Sequence, residues 1–332
     1  MAKDLAAVCC FYNPCGFQSK IDNFVKFYNS LKLQLKRVEV VELCYNNSKI
    51  SSLPKYVNPH IVTSNSVLWH KENLLNIGIS NLIKEGWENI AWLDSDIIFE
   101  NSFWIKDTVE CLKRNNLCQI FSICEKNHKG YSTFHSGCVR SWLETGNILP
   151  TSQPYHTGYA WAAKSSLLSD CSLYDKAITG GGDSLMWLAS FNLDKNFTEI
   201  IANHPITKLK TQEYILDYIN WAENWAFLIN NKIANIFCNI KTFYHGEAKH
   251  KQYISRYSIL DKNLYNPTED LNYNKEGVLE TNKQNLNNSI KNYFSNRKED
   301  NISLLNRFKN KLNQLQSKID EIELESHLKN KL

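Results

Sequence analysis

The stretch Ile90-Ala91-Trp92-Leu93-Asp94-Ser95-Asp96-Ile97-Ile98-Phe99 sets two carboxylates inside an apolar run. Ile90–Leu93 reads as a buried strand, and the acids follow at its carboxyl end. In extended backbone, residues two apart point to the same side, so Asp94 and Asp96 are expected to converge. Like charges held together repel, and partial burial raises the cost. A divalent cation relieves both problems, and hard oxygen ligands suit Mn²⁺ or Mg²⁺. The bland alternative is a pair of loop carboxylates capping the helix that follows.

Working outward, strands and helices alternate. Leu5–Tyr12 is a short apolar run, read as a buried strand. Ser19 with Asp22 three residues on has a capping-box pattern, and Ile21, Phe24, Val25, Tyr28, Leu31 and Leu35 follow at helical spacing. Val38–Tyr45 and Ile61–Thr63 read as strands, Trp69–Glu85 as a helix ended by Gly86, Phe103–Arg114 as a helix, and Cys118–Cys124 as a strand. This alternation predicts an α/β fold with a Rossmann-like, mostly parallel sheet flanked by helices. Ligands of such sheets sit at the carboxyl ends of the strands.

Beyond residue 280 the chain is polar and lacks Gly, Pro and Trp. That shift sets a globular domain, 1–280, against a helical tail, 281–332. Leu305, Phe308, Leu312, Leu315, Ile319 and Ile322 repeat in steps of three and four, a coiled-coil seam. It lasts fewer than the three to four heptads that define such a seam. A homodimer zipper and a helix folded back on the domain both fit it.

The 332 residues carry a net charge of only +4, and basic residues mostly alternate with acids, so no nucleic-acid partner is expected. No run reaches the roughly 18 apolar residues of a membrane helix, and no charged-then-apolar leader opens the chain. None of the ten cysteines stands in a Cys-x-x-Cys pair, which removes the zinc spacings. Reduced thiols and a cytoplasmic location are the expectation.

Four further segments accompany the acidic pair. They are Phe11-Tyr12-Asn13-Pro14 after the first strand; Trp69-His70-Lys71-Glu72-Asn73-Leu74-Leu75-Asn76-Ile77-Gly78; Gly158-Tyr159-Ala160-Trp161-Ala162-Ala163 leading to Gly180-Gly181-Gly182-Asp183-Ser184; and Tyr244-His245-Gly246 with Lys251, Tyr253 and Arg256. In this order the chain, from residue 5 to about 280, resembles the glycosyltransferases of the GT-A fold. Asp-x-Asp alone is weakly specific; the five segments together are specific for fold and donor chemistry, not for the sugar.

The resemblance implies a nucleotide-diphosphate sugar donor, transfer of a hexosyl unit to a hydroxyl of a glycan or glycoprotein acceptor, and Mn²⁺ or Mg²⁺. It implies that Asp96 ligates the metal, that Asp94 acts through water or the ribose, and that His245 is the third ligand; an ordinary strand-end histidine is the equal alternative there. Phe11, Tyr12, Asn13, Lys71, Asn76, Asp94, Ser95, Lys251 and Arg256 would contact the donor. Lys251 departs from the family's usual arginine, which puts bidentate phosphate contact in doubt. Trp161, Gly181, Gly182 and Asp183 would meet the acceptor or sugar. Asp183 is the expected general base, against the alternative of a helix N-cap. His135 and His156 have no partner at metal spacing and carry no role.

The chain has no Walker A loop, no Gly-x-Gly-x-x-Gly, no His-Glu-x-x-His and no Gly-x-Ser-x-Gly. Two other readings stay open. A sugar nucleotidyltransferase would place a Gly-rich basic loop after the first strand, where Tyr12-Asn13-Pro14-Cys15-Gly16 stands. A catalytically silent glycan-binding or assembly protein would not need Asp94, Asp96, Asp183 and His245.

Overall fold

Strand β1 (Leu5–Tyr12) sends Ala6, Val8 and Tyr12 into one hydrophobic cluster and Leu5, Ala7, Cys9 and Phe11 into another. Both faces are covered, which is why the strand reads as a continuous apolar run. The computed structural model describes residues 3–128, 130–149, 154–191, 211–246, 248–253, 255–300, 312 and 316. After β1 come α1 (Gln18–Lys32), β2 (Val38–Tyr45), β3 (His60–Ser64), α2 (Lys71–Lys84), β4 (Asn89–Leu93), β5 (Ile97–Phe99) and α3 (Trp104–Arg114). Then follow β6 (Leu117–Gln119), β7 (Ile123–Asn127), β8 (Ser132–Gly137), α4 (Cys138–Thr145), β9 (Tyr155–His156), β10 (Ala160–Lys164), α5 (Ser165–Asp170) and α6 (Gly182–Ala189). The chain continues through α7 (Gln212–Ile229), β11 (Ile233–Asn235), β12 (Asn239–Thr242), α8 (Ala248–Lys251), α9 (Ser258–Lys262), the hairpin β13 (Leu271–Tyr273) and β14 (Leu279–Thr281), and α10 (Gln284–Asn296).

The main sheet has seven strands in the order β11-β6-β10-β4-β1-β2-β3. β1 pairs in parallel with β2 and β4, β2 with β3, and β6 with β11. β10 runs antiparallel between β4 and β6. This is the mostly parallel, helix-flanked sheet expected from the alternating pattern. A second sheet, β5-β12-β7-β8-β9, begins where the chain leaves β4. The run Cys118–Cys124, expected as one strand, is two: β6 belongs to the main sheet and β7 to the second, with Ile120–Ser122 turning between them.

Helix packing fixes the approach to the site. A Cβ on Gly78 would lie 2.4 Å from Val8 Cγ2, so glycine lets α2 press onto the sheet and brings its first residue, Lys71, over the carboxyl ends of the strands. Trp69 and His70, expected inside this helix, precede it. Helix α1 starts at Gln18, and the capping box is not formed. Asp300 instead accepts from the backbone N–H of Gln18 and Ser19 at 3.0 and 2.9 Å, while Ser19 Oγ donates to the Glu299 carbonyl.

Helix α10 lies beyond the expected boundary at residue 280, yet Leu286, Ile290, Tyr293 and Phe294 are buried in the same cluster as β1 and α2. Burial on the order of 1.5–3 kcal/mol per large side chain is enough to dock it. The stretch 284–300 is therefore part of the packed body. Of the expected seam 305–322, all but Leu312 and Gln316 lie outside the described residues. Among the described residues no helix is long and apolar enough to cross a membrane. All ten cysteines are unpaired.

Candidate active site

A cleft of about 520 Å³ opens at the carboxyl ends of β1 and β4, where the two sheets part. The backbone of the acidic segment spans that division. Asp94 N–H donates to the Tyr159 carbonyl at 2.7 Å, on the main-sheet side, and the Asp96 carbonyl accepts from Phe243 N–H at 2.7 Å, beside β12. Tyr159 holds φ +78, a left-handed conformation rare for a residue with a side chain. Its ring lies 3.8 Å from that of His156, centroid to centroid.

Ser95 and Asp96 lie in a turn, not in extended backbone, so the convergence expected of Asp94 and Asp96 does not occur on one partner. Lys71 Nζ lies 2.5 Å from Asp94 Oδ1 and 2.8 Å from Asp183 Oδ2. Asp96 Oδ2 faces His245 Nδ1 at 3.3 Å. Nδ1 also meets the Phe243 carbonyl at 3.0 Å, and Lys251 Nζ lies 2.6 Å from Nε2. Burial pushes the Asp94 carboxyl up to about 7, with Asp183 and Asp96 adding to the rise against Lys71. Burial also brings Lys251 down to about 8. For Lys71 burial disfavours the charge, but Asp183 and Asp94 outweigh it and hold the ammonium charged.

Asp183 stands in the first turn of α6, where Gly181 is the N-cap and no side chain caps the helix. The capping alternative is thus not what its carboxylate does; it pairs with Lys71. Each glycine of the triplet makes room for a different neighbour. A Cβ on Gly180 would lie 2.8 Å from Arg256 Nη1, on Gly181 2.7 Å from the Tyr257 hydroxyl, and on Gly182 2.3 Å from Glu72 Oε1. Gly181 borders the cleft, whereas Gly182 faces Glu72.

A second, positively charged side of the cleft carries Lys20, Lys251, Arg256 and Arg297. Arg256 is 6% exposed, stacks over Trp69 at 5.0 Å and over Tyr257 at 5.1 Å, and its Nε has no hydrogen-bond partner among the described residues. Lys20 donates to the Tyr12 carbonyl at 2.9 Å and stands 4.8 Å over the Tyr12 ring. No carboxylate among the described residues forms an ion pair with Lys20, Lys251 or Arg256. Arg297 pairs with Glu299. Burial pushes the Glu299 carboxyl up, but Lys20, Arg297 and His245 outweigh it and lower the group to about 2.

The cleft gathers Phe11, Tyr12, Lys71, Asp94, Ser95, Asp96, Gly181, Asp183, His245, Lys251 and Arg256 of the residues expected there. Three others have local structural work instead. Asn13 closes its own turn through Phe17, whose N–H and carbonyl it bonds at 2.9 and 2.8 Å. Asn76 bonds both backbone groups of Leu173. Trp161 is fully buried and donates to the Thr157 carbonyl, so it is core rather than a sugar platform. Phe11 packs edge-on against Phe24, and Tyr12 against Trp69, His70 and Phe294. The histidines left without a role, His135 and His156, both border the cleft.

Sequence reasoning missed Lys20, Glu72, Arg297 and Glu299. No spacing signals Arg297 or Glu299, which follow α10. Gly246 is the one trace of them: a Cβ there would lie 3.0 Å from Glu299 Cα, so glycine is required where this segment crosses His245.

No protein-family model matches the chain, and no curated protein does. Solved structures do resemble it. Glucosyl-3-phosphoglycerate synthase from Mycobacterium tuberculosis, in complex with Mn²⁺, uridine diphosphate and phosphoglyceric acid, is 12% identical over 77% of this chain and 75% of its own, with a TM-score of 0.39. TarS 1-349 from S. aureus is 12% identical over 85% and 97%, with a TM-score of 0.35. A nucleotide-diphospho-sugar transferase from Desulfovibrio desulfuricans, so described provisionally, is 9% identical over 79% and 96%, with a TM-score of 0.33. Likeness at these values carries no argument about activity, which rests on the residues of the cleft.

Proposed function

We propose that this chain is a glycosyltransferase that moves a hexosyl unit from a nucleoside-diphosphate sugar to a hydroxyl of a glycan or glycoprotein acceptor. The observation that carries the reading is the division of the cleft. Lys71 joins Asp94 to Asp183 on one side, and Lys20, Lys251 and Arg256 stand without carboxylate partners on the other. Cations held unpaired in a partly buried cleft suit a diphosphate, whose charge grows as the glycosidic bond breaks.

Asp183 takes the proton of the acceptor hydroxyl as that oxygen bonds to the anomeric carbon and the nucleoside diphosphate departs. Lys71 holds the Asp183 carboxylate in place and offsets the repulsion of Asp94. Asp96 and His245 are the residues that would hold Mn²⁺ or Mg²⁺. Among the described residues no group of three His, Cys, Asp or Glu side chains is gathered to bind a metal. Two protein ligands nonetheless fit a cation that is also held by substrate phosphates and water. Asp94 is engaged by Lys71 and is left out of that set; His245 would serve through Nε2, which Lys251 would have to release. When bound, the cation supplies charge stabilisation at the departing diphosphate. A cytoplasmic location agrees with ten unpaired cysteines.

The test is thermal stability. Mn²⁺ with UDP or GDP should raise the melting temperature, as about 2.7 kcal/mol is gained at a hundred times Kd, and Asp96→Ala should abolish the shift. Absence of a shift with any nucleoside diphosphate would count against the proposal.

A further inference from the structure

Lys71 and Glu72 open α2, and Gly182 and Asp183 open α6. The two dipeptides meet face to face. Lys71 Nζ bonds Asp183 Oδ2, and Glu72 sits where any side chain on residue 182 would be, with Oε1 2.3 Å from the position of its Cβ. Glu72 is 4% exposed, and its Oε2 is buried with no hydrogen-bond partner among the described residues. An acid in the first helical turn ordinarily points to solvent and complements the helix dipole; this one is turned inward, directly behind the expected base.

We propose that Glu72 is a positioning residue for Asp183, seating the first turn of α6 against the start of α2 so that Lys71 serves the two aspartates. The inference rests on the reading of Asp183 as the base. Glu72 fills the seat as a neutral acid. Burial pushes its carboxyl up to about 8; Lys71 from its own helix opposes the rise, while Asp183 from α6 and Asp94 beyond β4 add to it. Cys10 and Tyr12 face it from β1, both thiol and phenol raised by burial and so uncharged near neutral pH. Ionised, Glu72 would compete with Asp183 for the single ammonium. Gly182 has an ordinary backbone conformation, and the three atoms nearest the position of its Cβ all belong to Glu72.

Two experiments decide it. In thermal melts, Gly182→Ala should lower the melting temperature by several degrees in the otherwise native chain and by much less in a Glu72→Ala background, where the methyl group has space. Equal losses in both backgrounds would overturn the seat. In turnover assays, the native chain should lose kcat above pH 8 by roughly tenfold per pH unit. Glu72→Gln should make that alkaline limb shallower, leaving only the part due to Lys251, with KM unchanged, and Glu72→Ala should lower kcat across the range. An identical alkaline limb in Glu72→Gln would overturn the positioning role. If the native chain turns over no nucleotide sugar, the functional reading falls, and the melts still decide whether Glu72 seats the turn.

Discussion

Lys71 Nζ donates to Asp183 Oδ2 across 2.8 Å, joining residues 112 positions apart in the chain. The same ammonium reaches Asp94 Oδ1. One cation thus ties the ends of β4, α2 and α6 into a single charged cluster whose side chains are mostly buried. Removing it would leave two carboxylates facing each other without compensation.

Lys71→Met is therefore expected to destabilise the fold by about 3 kcal/mol, the scale of breaking a buried ion pair by losing one partner. Denaturant unfolding at neutral pH checks this. Turnover should fall with it, and Asp94→Asn combined with Lys71→Met should recover part of the stability by removing one of the stranded charges.

Asp183→Asn keeps the shape of the side chain but removes the basic oxygen. Turnover is expected to fall by about a hundredfold or more, as for a lost general base, with nucleoside-diphosphate binding nearly unchanged. Steady-state kinetics beside a calorimetric titration separate the two effects. Activity surviving intact would place the base elsewhere.

The segment after α10 makes truncation informative. A chain ending at residue 290 loses Tyr293 and Phe294 from the core, Arg297 and Glu299 from the cleft, and the Asp300 carboxylate at the start of α1. Loss of Phe294 alone is expected to cost about 3–5 kcal/mol, so this truncation should fail to fold. A chain ending at residue 300 should still bind nucleoside diphosphate. Circular dichroism and a thermal shift with UDP or GDP distinguish the two truncated chains.

Glu299 gives a pH dependence with a definite sign. Its carboxyl is lowered in the folded state to about 2, below the ordinary value near 4.3. Its ionised form therefore stabilises the fold above about pH 5, and that contribution disappears as pH falls towards 2. The melting temperature of the native chain should exceed that of Glu299→Gln at pH 7, and the gap should close in acid. A gap constant from pH 7 to 3 would contradict the assignment.

The sheet was legible because its strands are short apolar runs covered on both faces. β1 and β2 begin and end where the runs do, at Leu5–Tyr12 and Val38–Tyr45. The break inside Cys118–Cys124 was not, since hydropathy stays high while the chain changes sheets at Ile120–Ser122. In the site, the two acids set in an apolar run stood out, Asp94 and Asp96, and both reach the cleft, as do Asp183 after its glycine triplet and Lys71, which the sequence leaves equally open to being a solvated helix residue. Asn13, Asn76 and Trp161 look alike in sequence whether they meet a ligand or a nearby backbone carbonyl, and here they meet the backbone. Glu72 was hidden by its position, because an acid at a helix start resembles an ordinary solvated residue. Arg297 and Glu299 enter from a polar segment whose docking depends on contacts more than 200 residues away.

The most direct measurement is release of nucleoside diphosphate when the purified chain, with Mn²⁺, is offered a panel of nucleotide sugars without acceptor. Slow release from at least one donor, abolished by Asp96→Ala and greatly reduced by Lys251→Ala combined with Arg256→Ala, is the predicted result. No release from any donor, together with no binding of any nucleoside diphosphate, would contradict the account.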